Sequence, residues 1–129
     1  MFRKLIGAVA VAAVMAMPVA AQQTAPLKIG VTDDMSSVYS DITGKGSVVA
    51  AELAIEDFGP KVLGRTIQLQ SADHQNKADV ASAIARQWYD ADGVQMITGI
   101  GNSAVALAVR ALARERGKVD IVTGAAHPG

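Results

Sequence analysis

The strongest constraint on the fold is a regular alternation of short apolar runs with longer amphipathic segments. The apolar runs have the length of β-strands, and the segments between them repeat apolar residues every three or four positions, as helices do. The predicted strands are residues 27–32, 66–70, 94–98 and 120–123, and the predicted helices are residues 47–58, 77–92 and 103–116. This alternation predicts an α/β fold with a parallel sheet and helices on both of its faces.

The expected strand order places a ligand crevice at one edge of this sheet. Right-handed crossovers leave few topologies, and the commonest puts the first strand between the second and third, giving a doubly wound sheet of order 2-1-3-4. Ligands bind such sheets at the carboxyl ends of the strands, where neighbouring loops diverge. The walls of the crevice are then the loop at residues 33–41 and the turn at residues 99–103. The loop after the fourth strand borders it.

The turn after the third strand has the composition of an anion site. Gly99 and Gly101 interrupt an apolar run, and Asn102 or Ser103 stands at the N-cap of the following helix. The first N–H groups of a helix lack partners within the helix and carry a partial positive charge. We therefore expect this turn to receive an anion such as a carboxylate or a phosphate.

Residues 1–21 have the pattern of a secretory signal peptide, in which two basic residues precede an apolar run and small residues allow cleavage. The apolar run, residues 5–17, is shorter than the roughly 20 residues that a membrane span requires. The chain has no cysteine, which fits a folded domain of the bacterial periplasm. Its 12 basic and 12 acidic side chains give no electrostatic reason to expect nucleic-acid binding.

Other polar motifs are interpreted as structural. Asp33 and Asp34 resemble the acidic pair of a response-regulator receiver domain, but the third strand lacks the aspartate that a receiver needs, so a solvated loop or a helix-entry cap is predicted. His74 and His127 lack metal-site spacing, and no metal or cofactor is expected. Trp88 lies on the apolar stripe of a helix and is predicted to be in the core.

Gly99-x-Gly101-x-x-Ala104 matches the loose form of a dinucleotide-binding fingerprint. That fingerprint needs an acid at the end of the following strand, whereas Asp120 begins it. An exported α/β enzyme acting on a nucleotide or an acyl ester therefore stays as an alternative, although Ser103 lacks the glycine-flanked elbow of a nucleophile.

Four stretches in a fixed order carry a family resemblance. They are Leu27-Lys28-Ile29-Gly30-Val31 leading to Met35-Ser36-Ser37, residues 50–57, residues 71–79, and Gly124-Ala125-Ala126. Together they resemble the periplasmic solute-binding proteins of ABC transporters, in the branched-chain amino-acid (Leu/Ile/Val) family. The resemblance implies two α/β lobes that close on a ligand like a hinged trap and deliver it to an ABC permease, without covalent chemistry.

The resemblance also implies which residues bind the ligand, a small carboxylate that is a branched-chain or other amino acid or an aromatic carboxylate. Asn102 and Ser103 would face the carboxylate through the Ser103 hydroxyl and backbone N–H groups. Ala125 would offer backbone polar groups, and His127 stands where a small hydroxyl residue is common. Tyr39 would come from the first loop.

Members of this family are roughly three times as long as this chain, as two domains require. The resemblance therefore implies that residues 22–129 form the N-terminal part of one lobe of a type I periplasmic binding protein, and that the second lobe is absent. The expected partners are the ligand and the permease, and contact with the membrane is expected only through the permease and the signal peptide. A sensory ligand-binding domain of the same fold is a further alternative.

Overall fold

The computed structural model describes residues 25–126. The predicted signal peptide at residues 1–21 and the predicted ligand residue His127 lie outside this range. Within it, every helix is too short or too polar to cross a membrane.

Strands and helices alternate along the described chain as the sequence pattern predicts. The strands are β1 (Leu27–Asp33), β2 (Lys61–Val62), β3 (Arg65–Asp73), β4 (Val94–Gly99) and β5 (Val119–Val122). The helices are α1 (Gly44–Phe58), α2 (Ala78–Gln87) and α3 (Ser103–Glu115). A π-helical turn, Trp88–Asp92, extends α2 and ends at Gly93, whose φ of 75° is left-handed.

The strands form one sheet of order β2-β3-β1-β4-β5. β1 pairs in parallel with β3 and β4, and β4 pairs in parallel with β5. The predicted order 2-1-3-4 is therefore confirmed for the four predicted strands. The sequence analysis missed β2, which pairs antiparallel with β3 across a tight turn at Leu63 and Gly64, because two residues are too few to show a period.

The hydrophobic core lies between the sheet and the helices α2 and α3. Trp88 is only 7% exposed, as predicted, and it packs directly over β1. A Cβ on Gly30 would lie 2.3 Å from Trp88 Cζ3, so only glycine fits at the centre of β1 on this face. Tyr89 donates a hydrogen bond from its hydroxyl to the Val119 carbonyl oxygen at 3.1 Å, which ties the π-helical turn to β5.

The helix α1 covers the opposite face of the sheet and packs more loosely. Ile29 and Val31 point to this face because they alternate with Gly30 along β1. A cavity of about 500 Å³ separates them from α1. Gly44 is the single buried residue within α1, and Phe58 at its end is 70% exposed. The fold is therefore consolidated mainly by one of its two faces.

Candidate ligand-binding site

The carboxyl ends of four strands, and the loops that follow them, lie at one edge of the sheet. The register pairs Asp33 with Asp73, Thr32 with Gly99, and Gly99 with Val122, so β1, β3, β4 and β5 all end at nearly the same level. The loops that follow β1, β4 and β5 are called here the first loop (residues 34–43), the glycine turn (residues 99–102) and the last loop (residues 123–126). These loops include the two segments that the strand order predicts as walls of the crevice.

The glycine turn is held in an uncommon backbone conformation. Gly99 has φ 94° and Ile100 has φ 62°, which is a strained value for a β-branched residue. Ile100 is fully buried, and its N–H donates to the Thr32 carbonyl oxygen at 2.9 Å. The Gly101 N–H donates to Asp33 Oδ1 at 3.0 Å. Packing and hydrogen bonds from β1 therefore determine where the turn lies.

Asn102 is the N-cap of α3. Its Oδ1 accepts the Val105 N–H at 3.1 Å, and its Nδ2 donates to Asn76 Oδ1 at 2.7 Å. The Asn102 carbonyl oxygen accepts the Ala106 N–H at 2.8 Å. Both polar ends of the Asn102 side chain are thus engaged within the protein, and Ser103 is the first residue of the 13-residue helix.

Several groups at the start of α3 are already engaged within the protein. The N–H groups of Gly101, Val105 and Ala106 donate to protein oxygen atoms, and the half-buried Ser103 also interacts within the protein. The partial positive charge of the helix N-terminus lies at this end of α3.

Buried carboxylates shape the first loop, and one of the two interpretations from the sequence, a solvated loop, is wrong. Asp33 and Asp34 are 0% and 1% exposed. Asp33 Oδ2 accepts the Ser47 hydroxyl at 2.8 Å, in addition to the Gly101 N–H on Oδ1. Asp34 accepts the N–H groups of Ser37 and Tyr39 at 2.8 and 2.9 Å. These carboxylates accept hydrogen bonds from the backbone that water would otherwise accept.

The pKa values of two of these carboxyl groups show how well their charges are stabilised. Burial opposes the ionisation of Asp34, but hydrogen bonds from the Ser37 side chain and from the N–H groups of Tyr39, Ser37 and Ser36 lower its pKa to about 2. Burial likewise opposes ionisation of Asp73, yet hydrogen bonds from Ser36, Met35 and Gln75 lower its pKa.

The first loop contacts the glycine turn through Thr43. A Cβ on Gly101 would lie 2.5 Å from Thr43 Cγ2, so the two segments are in close contact. Tyr39 is 40% exposed, and its carbonyl oxygen accepts the Thr43 N–H at 3.0 Å. The loop that carries Tyr39 therefore lies directly beside the glycine turn.

The last loop completes the contact. The N–H and the hydroxyl of Thr123 both donate to the Gly99 carbonyl oxygen, at 2.8 and 2.7 Å. A Cβ on Gly124 would lie 3.2 Å from Gly101 Cα. Ala125 follows directly and packs against the core cluster. The loops that carry Tyr39, Asn102, Ser103 and Ala125 thus converge around Gly101.

The role of the loop after β3 was not predicted from the sequence. Lys77 is the N-cap of α2, and the side chain of the preceding Asn76 bonds Asn102. His74 is fully buried, and its Nδ1 accepts the Asn76 N–H at 3.0 Å. Consecutive Gln75 and Asn76, with φ of 53° and 57°, are the only sequence signal for this turn, because asparagine tolerates left-handed backbone.

The other chemistries considered from the sequence have no support from these geometries. Among residues 25–126, no group of three or more His, Cys, Asp or Glu side chains is arranged to hold a metal ion. Asp120 lies near the start of β5, and its Oδ2 accepts a hydrogen bond from Arg110 Nε at 3.4 Å. The dinucleotide fingerprint needs its acid at the end of that strand instead.

Comparison with known proteins decides the family. A sequence profile described as a periplasmic binding protein matches residues 26–129. The chain belongs to the periplasmic binding protein family. Among curated proteins, none matches the chain.

Solved structures of this family share both sequence and fold with the chain. A periplasmic binding protein from Burkholderia mallei is 47% identical over 78% of this chain, with a TM-score of 0.75. A branched chain amino acid ABC transporter periplasmic ligand-binding protein from Burkholderia xenovorans is 51% identical over 78%, with a TM-score of 0.74. The resemblance to the branched-chain amino-acid binding proteins is thereby confirmed.

A third family member was solved with a ligand. The solute binding protein of an ABC transporter from Rhodopseudomonas palustris, in complex with 3,4-dihydroxy benzoic acid, is 29% identical over 78% of this chain, with a TM-score of 0.73. This chain spans 27% of the length of each of the three solved chains.

Proposed function

We propose that this chain forms one wall of a periplasmic site that captures a small carboxylate for delivery to an ABC permease. The observation that carries the proposal is the convergence of three loops around Gly101, at the N-terminus of a 13-residue helix. A helix N-terminus favours an anion, and the exposed ring of Tyr39 offers an apolar surface beside it. A carboxylate attached to an aliphatic or aromatic body matches both features.

In this proposal each predicted residue has a defined role. The Ser103 hydroxyl and the Ala104 amide receive the carboxylate, while Asn102 acts through its backbone and through the cap it forms. Ala125 contributes backbone polar groups, and Tyr39 packs against the body of the ligand. His127 is proposed as a ligand residue from the family resemblance alone.

The class of ligand is supported by two relatives. The Burkholderia xenovorans protein is described as a branched chain amino acid transporter component, and the Rhodopseudomonas palustris protein holds a dihydroxybenzoate. Amino acids and aromatic carboxylates share the carboxylate that the α3 terminus suits. The proposal therefore commits to the carboxylate and leaves the body of the ligand to experiment.

The strength of this wall alone is limited. A helix N-terminus contributes about 0.3–2 kcal/mol to binding an anion, and each charge-assisted hydrogen bond contributes about 1.5–3 kcal/mol. Micromolar affinity requires about 8 kcal/mol after the entropic costs of association. We therefore expect the 129-residue chain alone to bind its ligand at millimolar concentrations.

The experiment is an NMR titration of the full-length gene product with L-leucine and, separately, with 3,4-dihydroxybenzoate. We expect the amides of residues 101–104 and 125 to shift on addition of at least one of them. Ser103→Ala should weaken binding, whereas the matched Ser82→Ala, whose hydroxyl bonds only the Ala78 carbonyl oxygen of α2, should not. Shifts confined to the cavity beneath α1, or turnover of either compound, would contradict the proposal.

Export is proposed from residues 1–21. Cleavage after Ala21 would leave Gln22 as the first residue of the mature protein. N-terminal sequencing of the protein recovered from a periplasmic extract tests this directly. An uncleaved N-terminus in that extract would contradict it.

A further inference from the structure

We infer that Asn76 is a positioning residue for the ligand site, because it fixes the N-terminus of α3 from outside the crevice. The inference rests on the proposed function for its effect on binding. The claim that Asn76 fixes the N-terminus of α3 does not depend on any ligand. Asn76 lies in the loop after β3, and its Oδ1 accepts the Asn102 Nδ2 at 2.7 Å. This bond joins two loops that are otherwise separated along the chain by the whole of α2 and β4.

This bond explains why both of its residues, Asn76 and Asn102, are asparagines. An N-cap needs only a side-chain oxygen, which serine or aspartate also provides. The amide of Asn102 is used for the second bond, to Asn76. At position 76 the backbone has φ 57°, a left-handed value that asparagine tolerates better than most residues.

Asn76 is itself held by a buried histidine. The Asn76 N–H donates to His74 Nδ1 at 3.0 Å, and the His74 N–H donates to the Asp33 carbonyl oxygen at 3.0 Å. His74 is fully buried, and its Nε2 lies 4.0 Å from Asp33 Oδ1 with no hydrogen-bond partner. Because Nδ1 accepts a hydrogen bond, it carries no hydrogen, and the imidazole is neutral with its hydrogen on Nε2.

Two different segments therefore hold the glycine turn where it enters α3. Asp33, at the end of β1, accepts the Gly101 N–H, and Asn76, in the loop after β3, accepts the Asn102 amide. His74 lies between these two anchors and contacts both. Since the direction of the Ala104 amide follows from the position of Asn102, the loop after β3 sets the direction of the ligand's proposed donors.

Preorganisation of this kind lowers the cost of binding without any contact to the ligand. Asn76→Gly removes the acceptor and keeps a residue that adopts positive φ freely. Gln75→Gly is the matched control, because Gln75 has φ 53° and its side chain bonds only Lys77. Asn102→Ser keeps a capping oxygen and removes the donor to Asn76.

The first measurement is amide hydrogen exchange in the ligand-free full-length gene product. Asn76→Gly and Asn102→Ser should each speed exchange at Val105 and Ala106 relative to the middle of α3, and the double variant should add little to either. Gln75→Gly should leave these rates unchanged. Equal rates in Asn76→Gly and the wild type would overturn the inference, whether or not any ligand binds.

The second measurement is the affinity for 3,4-dihydroxybenzoate and for L-leucine. Where the wild type binds, Asn76→Gly should weaken binding about fivefold, the factor that corresponds to one ordinary hydrogen bond, and Gln75→Gly should not. Binding that is equally tight in Asn76→Gly would overturn the inference while leaving the proposed function intact. If the wild type binds neither compound at residues 101–104, the proposed function fails, and the exchange rates alone decide the role of Asn76.

Discussion

Gly101→Ala tests whether the three loops meet as the structure describes. The new Cβ would lie 2.5 Å from Thr43 Cγ2, 3.2 Å from Thr43 Cβ and 3.0 Å from Asp33 Oδ1. All three distances are shorter than ordinary van der Waals contact. The backbone at Gly101 lies outside the left-handed region, so a side chain there adds no dihedral strain. The whole effect should therefore come from steric contact with Thr43 of the first loop and with Asp33 of β1.

The magnitude follows from two opposing terms. Overpacking by a single carbon costs about 1–3 kcal/mol. Replacing glycine by alanine also restricts the unfolded chain, which stabilises the fold by about 0.4–1 kcal/mol. We expect Gly101→Ala to lower the free energy of unfolding by about 1–2 kcal/mol. The proposed carboxylate affinity should fall as well, because the glycine turn must move away from Thr43.

Urea unfolding followed by the fluorescence of Trp88, the single tryptophan, measures the stability. Thr43→Ser removes the Cγ2 atom, so it should restore part of the loss in the double variant. Gly46→Ala, where nothing lies within 4 Å, is the matched control and should stabilise the fold by about 0.5–1 kcal/mol. The reasoning is refuted if Gly101→Ala is as stable as the wild type, or if Thr43→Ser gives no recovery.

Three further predictions concern other parts of the fold. Gly30→Ala should destabilise it by about 3 kcal/mol, because the Cβ would lie 2.3 Å from the buried Trp88 ring; an unchanged urea midpoint would contradict the packing. Asp33→Ala should cost about 2–5 kcal/mol, because the Gly101 N–H and the Ser47 hydroxyl lose their acceptor; Asp33→Asn, which keeps one oxygen, should cost less than half as much in the same assay. Burial lowers the pKa of His74, although the negative charges of neighbouring aspartates act in the opposite direction. As the pH falls, His74 is therefore protonated at a higher pH in the unfolded chain than in the folded protein. The free energy of unfolding should fall as the pH drops below about 6.5, by at most about 1.4 kcal/mol per pH unit, until the lowered folded pKa is reached. His74→Gln should flatten that slope, and an identical slope in the variant would exclude His74 as its source.

The order of strands and helices could be predicted because each element carries its own periodicity. β3 begins with alternating half-buried and exposed residues. Trp88 is buried, together with Ala81 and Ala85 of α2 on the same side. Right-handed connections then left a single common strand order, which the structure shows. The edge of the sheet where the loops converge followed from that order.

The environment of the loop side chains could not be predicted in the same way. Asp33 and Asp34 have the composition of a solvated loop, yet both are buried. Asp33 accepts the N–H of Gly101, which is distant in sequence, whereas Asp34 accepts N–H groups of its own loop. Asn76 has the position of a helix cap, but its partner is Asn102. Periodicity reports which face of an element is apolar and contains no information about which polar groups meet across loops.

The amino-acid sequence by itself determined the α/β class, the sheet order and the glycine turn that begins α3, since these depend on local spacing and on the chirality of the chain. Only the tertiary structure decided how that turn is held, by Asp33 at Gly101 and by Asn76 at Asn102. Hydrogen bonds between distant loops form only after the strands have aligned their ends. A residue's role in such a network therefore depends on the position of its partner in space.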